Sequence, residues 1–230
     1  MNINTLFDKC MAQFNTNEKV NFVQIGCRHG LDHCTKHLKT NKYNSYLFEP
    51  IPHWYNELQN NYKECNKVNT YNHAISEKND SIQMYWVDPK KHGNKVPDWY
   101  YGHSSINYDN APGHNWGIEN SSDILTVQSK TFDTVVKEYG IDKIDIYVSD
   151  TEGYDINILR QVDFERFSPK LMHIESNKIK DDDMEYLKNI LSKYDYKYAN
   201  SFQDPRLTSN VNILLNPSVD LIAWRLPITI

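Results

Sequence analysis

The sequence has no long apolar run. Its uncharged apolar stretches, such as Leu221 to Trp224, fall far short of the ~20 residues that a membrane helix needs, so no membrane partner is expected. It also lacks a basic excess: 25 Lys and Arg face 30 Asp and Glu, for a formal net charge of -5 and a pI of about 6.0. Without a cationic surface to release counterions from a polyanion, nucleic acid is not expected as a main partner. Cysteine is scarce. Cys10, Cys27, Cys34 and Cys65 form no CxxC pair, which excludes a disulfide framework and a zinc knuckle and points to reduced thiols in a cytoplasmic protein. The leading MNINTLFDKCMAQF carries charges where a secretory signal needs an unbroken apolar stretch. No repeat with a period of about 20 to 50 residues is visible.

What is present suffices for one packed domain over residues 1–230. Apolar residues make up 39% and aromatics 13%, and chains of this length bury roughly 70% of the surface they expose unfolded. The mean hydropathy of -0.71 reflects polar Asn and Lys rather than disorder. Ile3, Leu6, Phe7, Cys10, Met11 and Phe14 recur at helical spacing, predicting an amphipathic leading helix. A strand from Val20 to Ile25 runs into Gly26-Cys27-Arg28-His29-Gly30 and a helix over Leu31 to Leu38. A second strand, Tyr43 to Phe48, ends at Glu49-Pro50 before a helix over Pro52 to Tyr62, and a third fits Val68 to Ile75. This alternation with short connections predicts a parallel sheet covered by helices. After a strand at Ser81 to Val87, residues 88–123 read as a long irregular loop, a substrate or lid segment. The sheet is expected to resume with Leu125 to Gln128, then Ile144 to Ser149 and Leu171 to Ile174. Helices are expected at Phe132 to Tyr139, Ile156 to Val162 and Asp181 to Tyr194. Val211 to Leu215 reads as a late strand with Tyr196 to Ala199 as its hairpin partner, while Leu221 to Leu226 docks at the sheet edge or on another subunit.

In an open α/β sheet, ligands bind beyond the carboxyl ends of the strands, near the point where strand order reverses. The residues suited to chemistry fall at such ends. Gly26 and Gly30 let a ligand approach the backbone and the helix N-terminus, although a plain tight turn needs the same residues. Glu49 can accept both hydroxyls of a ribose, or stand as a solvated loop charge. Asp150 and Glu152 form an Asp-x-Glu pair that can hold a divalent metal, which the pattern does not favour. His29, His33 and His37 would spread over ~12 Å of helix, too far to share one ion, and are read as surface histidines.

Taken in order, VNFVQIGCRHG, YLFEPIP, YNHAIS, SSI within the long loop, LTVQSKTFDTVV, IDIYVSDTEGYDINIL and LMHIES resemble the motifs of the FkbM-like S-adenosylmethionine-dependent methyltransferases. The likeness spans residues 20–176. It implies the class I methyltransferase fold: a three-layer, Rossmann-like α/β architecture, mostly parallel, with an antiparallel strand near the C-terminus. It implies S-adenosyl-L-methionine as cofactor, held in its first loop by Gln24, Gly26, Cys27, Arg28 and Gly30. Glu49 and Pro50 would meet its ribose, Ala74 and Ile75 its adenine, and Asp150 its reactive end. Asp150 and Glu152 match the signature turn, Asp150 as proton acceptor or hydroxyl anchor and Glu152 as its partner or a substrate ligand; His173 and Glu175 end the next strand, as second base and substrate contact or equally as a satisfied structural pair. Asp155 matches an acidic position of that signature, and its charge also suits a helix N-terminus. Two positions depart from the family pattern. Gln24 stands where Asp is frequent and Val148 where Lys is frequent, so a charge for the sulfonium-bearing amino acid and a cation beside Asp150 are missing.

The long loop concentrates aromatics with hydroxyls and imidazoles, from Trp99 to Trp116, including Tyr100, Tyr108 and His114. Such groups stack on a sugar while bonding its hydroxyls, so Tyr101, His103, Ser104 and Ser105 are expected to bind substrate; alternatively the aromatics only pack the loop. The expected activity is O-methylation of a hydroxyl on a sugar, glycan or related small metabolite. Two other readings stand beside it: a metal-dependent nucleotide-sugar glycosyltransferase using Asp150-Thr151-Glu152, and a methyltransferase-like binding domain without turnover. A nicotinamide dehydrogenase fits less well, because Gly26 and Gly30 lack the dinucleotide spacing.

Overall fold

Asn2 opens the first helix, its side-chain oxygen accepting the Thr5 N–H at 2.7 Å. That helix, α1 (Ile3–Met11), buries Ile3, Leu6, Phe7, Cys10 and Met11, the face its periodicity predicts. The computed structural model describes residues 1–15, 17–93, 96, 98–110, 122–200, 206–207, 209, 211 and 220–228. There follow β1 (Asn21–Ile25), α2 (Thr35–Leu38), β2 (Asn44–Phe48), α3 (Pro52–Tyr62), β3 (Val68–Tyr71), β4 (Ala74–Ile75), β5 (Asp80–Trp86) and α4 (Pro89–His92). The second half carries β6 (Asp123–Lys130), α5 (Phe132–Glu138), β7 (Ile146–Ser149), α6 (Asp155–Leu159), β8 (Leu171–Glu175), α7 (Asp181–Lys193), β9 (Lys197–Asn200) and β10 (Asp220–Trp224).

Seven strands form the main sheet in the order β3-β2-β1-β7-β8-β10-β9, with β10 antiparallel to both neighbours. Every residue of β1 and β8 is buried, as expected for parallel strands covered on both faces. One face packs against α5, α6 and α7 through Phe132, Val135, Ile156, Leu159, Leu187 and Leu191. The other packs against α1, α2 and α3 through Phe7, Met11, Leu38, Leu58 and Tyr62. This is the three-layer, mostly parallel Rossmann-like arrangement that was expected. No helix among the described residues is long and apolar enough to cross a membrane.

Strand order reverses between β1 and β7. The chain adds β2 and β3 on one side of β1, then returns to add β7 on the other. In register, Ile25 lies opposite Ser149, and the Asp150 N–H donates to the Ile25 carbonyl at 3.0 Å. The loops after β1 and β7 therefore leave the sheet side by side, at the place where a ligand crevice forms.

Four expectations need correction. The single strand over Val68 to Ile75 breaks at Asn72-His73, because the Asn72 amide donates to the carbonyls of Glu49 and Pro50 at 2.9 and 3.0 Å. Beyond that break, β4 leaves the main sheet and pairs with β6, which also carries β5 antiparallel, as a separate three-stranded sheet. The Leu125 to Gln128 segment thus belongs to the small sheet and does not resume the large one. Leu221 to Trp224 is the interior antiparallel strand β10, paired with β8 and β9, rather than a segment docked at the sheet edge or on another subunit; of the late strand expected at Val211 to Leu215, residues 212–215 lie outside the described residues. Finally, the helix expected over Leu31 to Leu38 is only the four-residue α2. His33 consequently packs its ring 4.4 Å from that of His173, and His37 sits 2.8 Å from Asp8 of α1, so neither is a free surface histidine.

Candidate active site

A cavity of about 570 Å³ opens over the carboxyl ends of β1, β2 and β7, within the roughly 300–1,000 Å³ usual for small-molecule sites. Gly26, Glu49 and Asp150 all line it. Gly26 has φ +80°, and a Cβ there would lie 1.8 Å from the Asp150 carbonyl oxygen. Only glycine lets the two loops touch. Gly30, also at positive φ, serves packing instead: a Cβ would meet Leu58 at 2.4 Å and Tyr62 at 2.6 Å, and Gly30 does not reach the cavity.

Glu49 is buried, and both its oxygens are oriented by the backbone. Oε2 accepts the Arg28 N–H at 2.6 Å and Oε1 accepts the Ile51 N–H at 2.9 Å. Burial pushes its carboxyl up to about 7, against the pull of those N–H groups and the Arg28 charge. Arg28 itself lies over the Trp54 ring, 4.7 Å from its centroid. Ala74 and Ile75 line the same space, and His73 is held to about 4 by burial and by the Lys130 charge, its Nε2 2.9 Å from the Tyr139 hydroxyl.

The opposite wall is acidic. Asp150, Glu152 and Glu175 bring carboxylate oxygens within 4.8 Å of one another. Asp150 is exposed to the cavity, Glu152 half-buried and Glu175 buried. Enclosure, then the charges of Glu152 and Asp155, raise the Asp150 carboxyl; burial, then Asp150 and Glu152, raise that of Glu175. Lys178 forms an ion pair with Glu152 Oε2 and lies 3.9 Å from Glu175 Oε1. It approaches from behind, lining a separate crevice with Gly153 and Asp183 instead of the cavity. On the cavity side, His103 Nε2 lies 3.8 Å from Glu152 Oε1.

The long segment after β5 reaches this wall by a specific splice. Ser105 forms a two-way backbone bridge with Tyr85 at 2.9 Å, and its hydroxyl donates to the Glu152 carbonyl at 3.1 Å. His103 and Ser104 are thereby placed in the cavity lining, whereas Ser105 is the pin and is not. Tyr100 and Tyr101 pack in a third apolar cluster with Ile51, Trp54 and Met84. The substrate contact expected at Tyr101 is corrected accordingly: its hydroxyl is spent on the Gly93 carbonyl. The Trp99 side chain, His114 and Trp116 lie outside the described residues.

Of the first-loop residues, Gly26, Cys27 and Arg28 line the cavity together with Pro50. Gln24 does not; its amide donates to Asp32 Oδ2 at 2.6 Å, and Asp32 carries a carboxylate to the wall. The charge missing at position 24 is present eight residues later. The cation missing at Val148, which is buried among apolar neighbours, has a counterpart in Lys178. His173 is also displaced from the chemistry. It is buried beneath the site, its Nε2 3.6 Å from Asp220 and its ring against Phe7 and His33, so it cannot serve as a second base in the cavity. Asp155 is buried and accepts the Thr151 N–H at 3.2 Å, bracing the signature turn. Asp32, Trp54, His73, Asn177 and Lys178 escaped the sequence reading. The uniformly buried run of β8 gives no hint of Asn177 or Lys178, which follow it in an irregular turn.

The description "Methyltransferase FkbM domain" belongs to a family model that matches residues 20–198. No curated protein matches the chain. Among solved structures, a precorrin-6y C5,15-methyltransferase from Geobacter metallireducens GS-15 aligns at 10% identity and a TM-score of 0.41, covering 97% of this chain and 88% of that one. The Methanococcus jannaschii fibrillarin pre-rRNA processing protein aligns at 12% identity and a TM-score of 0.43, covering 96% and 74%.

Proposed function

The chain belongs to the FkbM methyltransferase family, and from that premise we propose that it transfers a methyl group from S-adenosyl-L-methionine to a hydroxyl of a sugar, glycan or related small metabolite. The supporting observation is that Gly26, Glu49 and Asp150, drawn from three separate strand ends, line one cavity. The glycosyltransferase reading leaves the first two without a task.

The residues present fit the donor. Gly26 offers backbone without a side chain, Glu49 has each oxygen fixed by one N–H with lone pairs left for ribose hydroxyls, and Ala74 leaves room for a flat base. Asp32 supplies the negative charge suited to an ammonium group. When bound, the donor supplies an electrophilic methyl group on a sulfonium. Displacement at that carbon runs in line, so the chain's task is to hold the acceptor oxygen opposite the sulfur. Asp150 accepts the hydroxyl proton, Glu152 and Glu175 hold neighbouring acceptor oxygens, and His103 and Ser104 close the side facing the long segment. The aromatic body of Trp54, with Arg28 stacked on it, provides an apolar wall for a planar or sugar face.

Calorimetric titration with S-adenosylhomocysteine, NAD and UDP-sugars separates the ligand classes; binding of S-adenosylhomocysteine alone is expected. Transfer of a labelled methyl group to a panel of glycans and small polyols then reads the acceptor. Label recovered on an amine or carbon would overturn the O-methylation reading.

A further inference from the structure

We propose that Asp150, Glu152 and Glu175, with the amide oxygen of Asn177, bind one hard divalent cation, Mg²⁺ or Mn²⁺, in the acceptor half of the cavity. Resting on the function proposed above, the inference adds the means by which the acceptor hydroxyl is activated. The three carboxylates present oxygens within 4.8 Å of one another, and all three line the cavity. Glu175 is 7% exposed, yet its Oε2 has no hydrogen-bond partner. Asn177 lines the same cavity, and its buried Oδ1 is also without a partner. Orphaned buried acceptors are costly. Each of these atoms is an oxygen acceptor, the donor set that hard divalent cations take.

Charge balance points the same way. Asp155 adds a fourth carboxylate behind the three, and Lys178 meets Glu152 and Glu175 from outside the cavity. On the cavity side, the Arg28 guanidinium is stacked on Trp54, and the His103 ring stands 3.8 Å from a Glu152 oxygen. The carboxyl groups of the cluster crowd one another on the cavity face, and a divalent ion there would favour their ionised forms. An acceptor hydroxyl on that ion loses its proton more readily. The proton passes to the Asp150 oxygen that is not on the cation. The new oxygen–carbon bond forms as the sulfur–carbon bond breaks, leaving a neutral thioether, and the ion keeps its oxidation state.

The test is Mn²⁺ uptake by the metal-stripped full chain, read as loss of the free-ion electron paramagnetic resonance signal. Wild type is expected to take up one Mn²⁺, with affinity falling about tenfold or more in Glu175→Gln and in Asp150→Asn and unchanged in Glu49→Ala. Retained S-adenosylhomocysteine binding in EDTA, measured by calorimetry, confirms that the Glu175→Gln chain is folded. No uptake at millimolar Mn²⁺ would overturn the proposal, as would uptake indifferent to both acidic substitutions. Uptake by Lys178→Gln but not by wild type would also overturn it, because the lysine would then be the resident cation. Mn²⁺ uptake without S-adenosylhomocysteine binding supports the cation site while removing the donor reading.

Discussion

The two halves of the cavity are built on different principles. The half around Gly26, Glu49, His73 and Ala74 is made of backbone groups, small residues and one oriented carboxylate, and its imidazole is held neutral. The half around Asp150, Glu152 and Glu175 is a crowd of like charges held together by Lys178 and by the Ser105 pin. The first half depends on steric fit, which one added methyl group can destroy. The second depends on charge balance, where removing a carboxylate changes chemistry more than shape.

Gly26→Ala should break that contrast most severely. Its Cβ would overlap the Asp150 carbonyl, at 1.8 Å, in a backbone conformation that disfavours a side chain. A loss of roughly 2–5 kcal/mol of stability is expected, combining backbone strain and overpacking, with donor binding abolished. Urea denaturation and calorimetry check both; a variant as stable as wild type would show that the β1 and β7 loops are not in contact.

Asp150→Asn comes next. Turnover should fall by about 10²- to 10⁴-fold, the range for losing a positioned proton acceptor, while S-adenosylhomocysteine affinity stays close to wild type. If affinity collapses with turnover, the two halves are not separable.

Glu49→Gln should weaken S-adenosylhomocysteine by about 10- to 100-fold, the worth of a charged hydrogen-bond acceptor, with turnover at saturating donor largely kept. Because the Glu49 carboxyl is raised from 4.5 to about 7, wild-type affinity should climb as pH rises through 7 and level off above it, as the ionised acceptor becomes the resting form. The same shift bears on folding. A carboxyl raised in the folded state contributes most below pH 4.5 and loses that contribution as pH rises through about 7. Glu49→Gln should flatten both profiles, measured by calorimetry and by thermal melts across that window.

The smallest effect is expected from Gln24→Asp, which installs the residue frequent in the family. Asp32 already carries the carboxylate, 2.6 Å from the Gln24 amide, so a second one would meet like charge and lose a donor. Donor affinity should fall by no more than about threefold, under 1 kcal/mol; a clear gain would show that Asp32 does not stand in for the missing charge.

Legibility in the sequence follows the same division. Ala74 follows Asn72-His73 and is reached only through the family likeness, whereas Gly26 and Glu49 are recognisable because each sits at the end of a short strand-like run. The α1 face and α3, Pro52–Tyr62, are read correctly for the same reason, since helical periodicity and a proline at the start are local signals. His173 misled because a polar residue near a strand end looks catalytic, whereas it packs against Phe7 of α1 and against His33 before α2, both far away in the chain. Lys178 was invisible: nothing in Asn177-Lys178-Ile179 signals that its ammonium meets a carboxylate 26 residues earlier. The small sheet was missed because Val68 to Ile75 reads as one strand, which the Asn72 bonds to Glu49 and Pro50 divide.

From the order of residues alone came the alternation of strands and helices, the glycine at the first turn, and the carboxylates at three strand ends. Those features obey sterics and periodicity over a few neighbouring residues. Which of them face a common space was decided only when β7 returned beside β1, since pairing across more than a hundred residues brings Asp150 against Gly26. The balance of charge was decided there too, because electrostatic energy depends on distance through the folded molecule and not on separation along the chain.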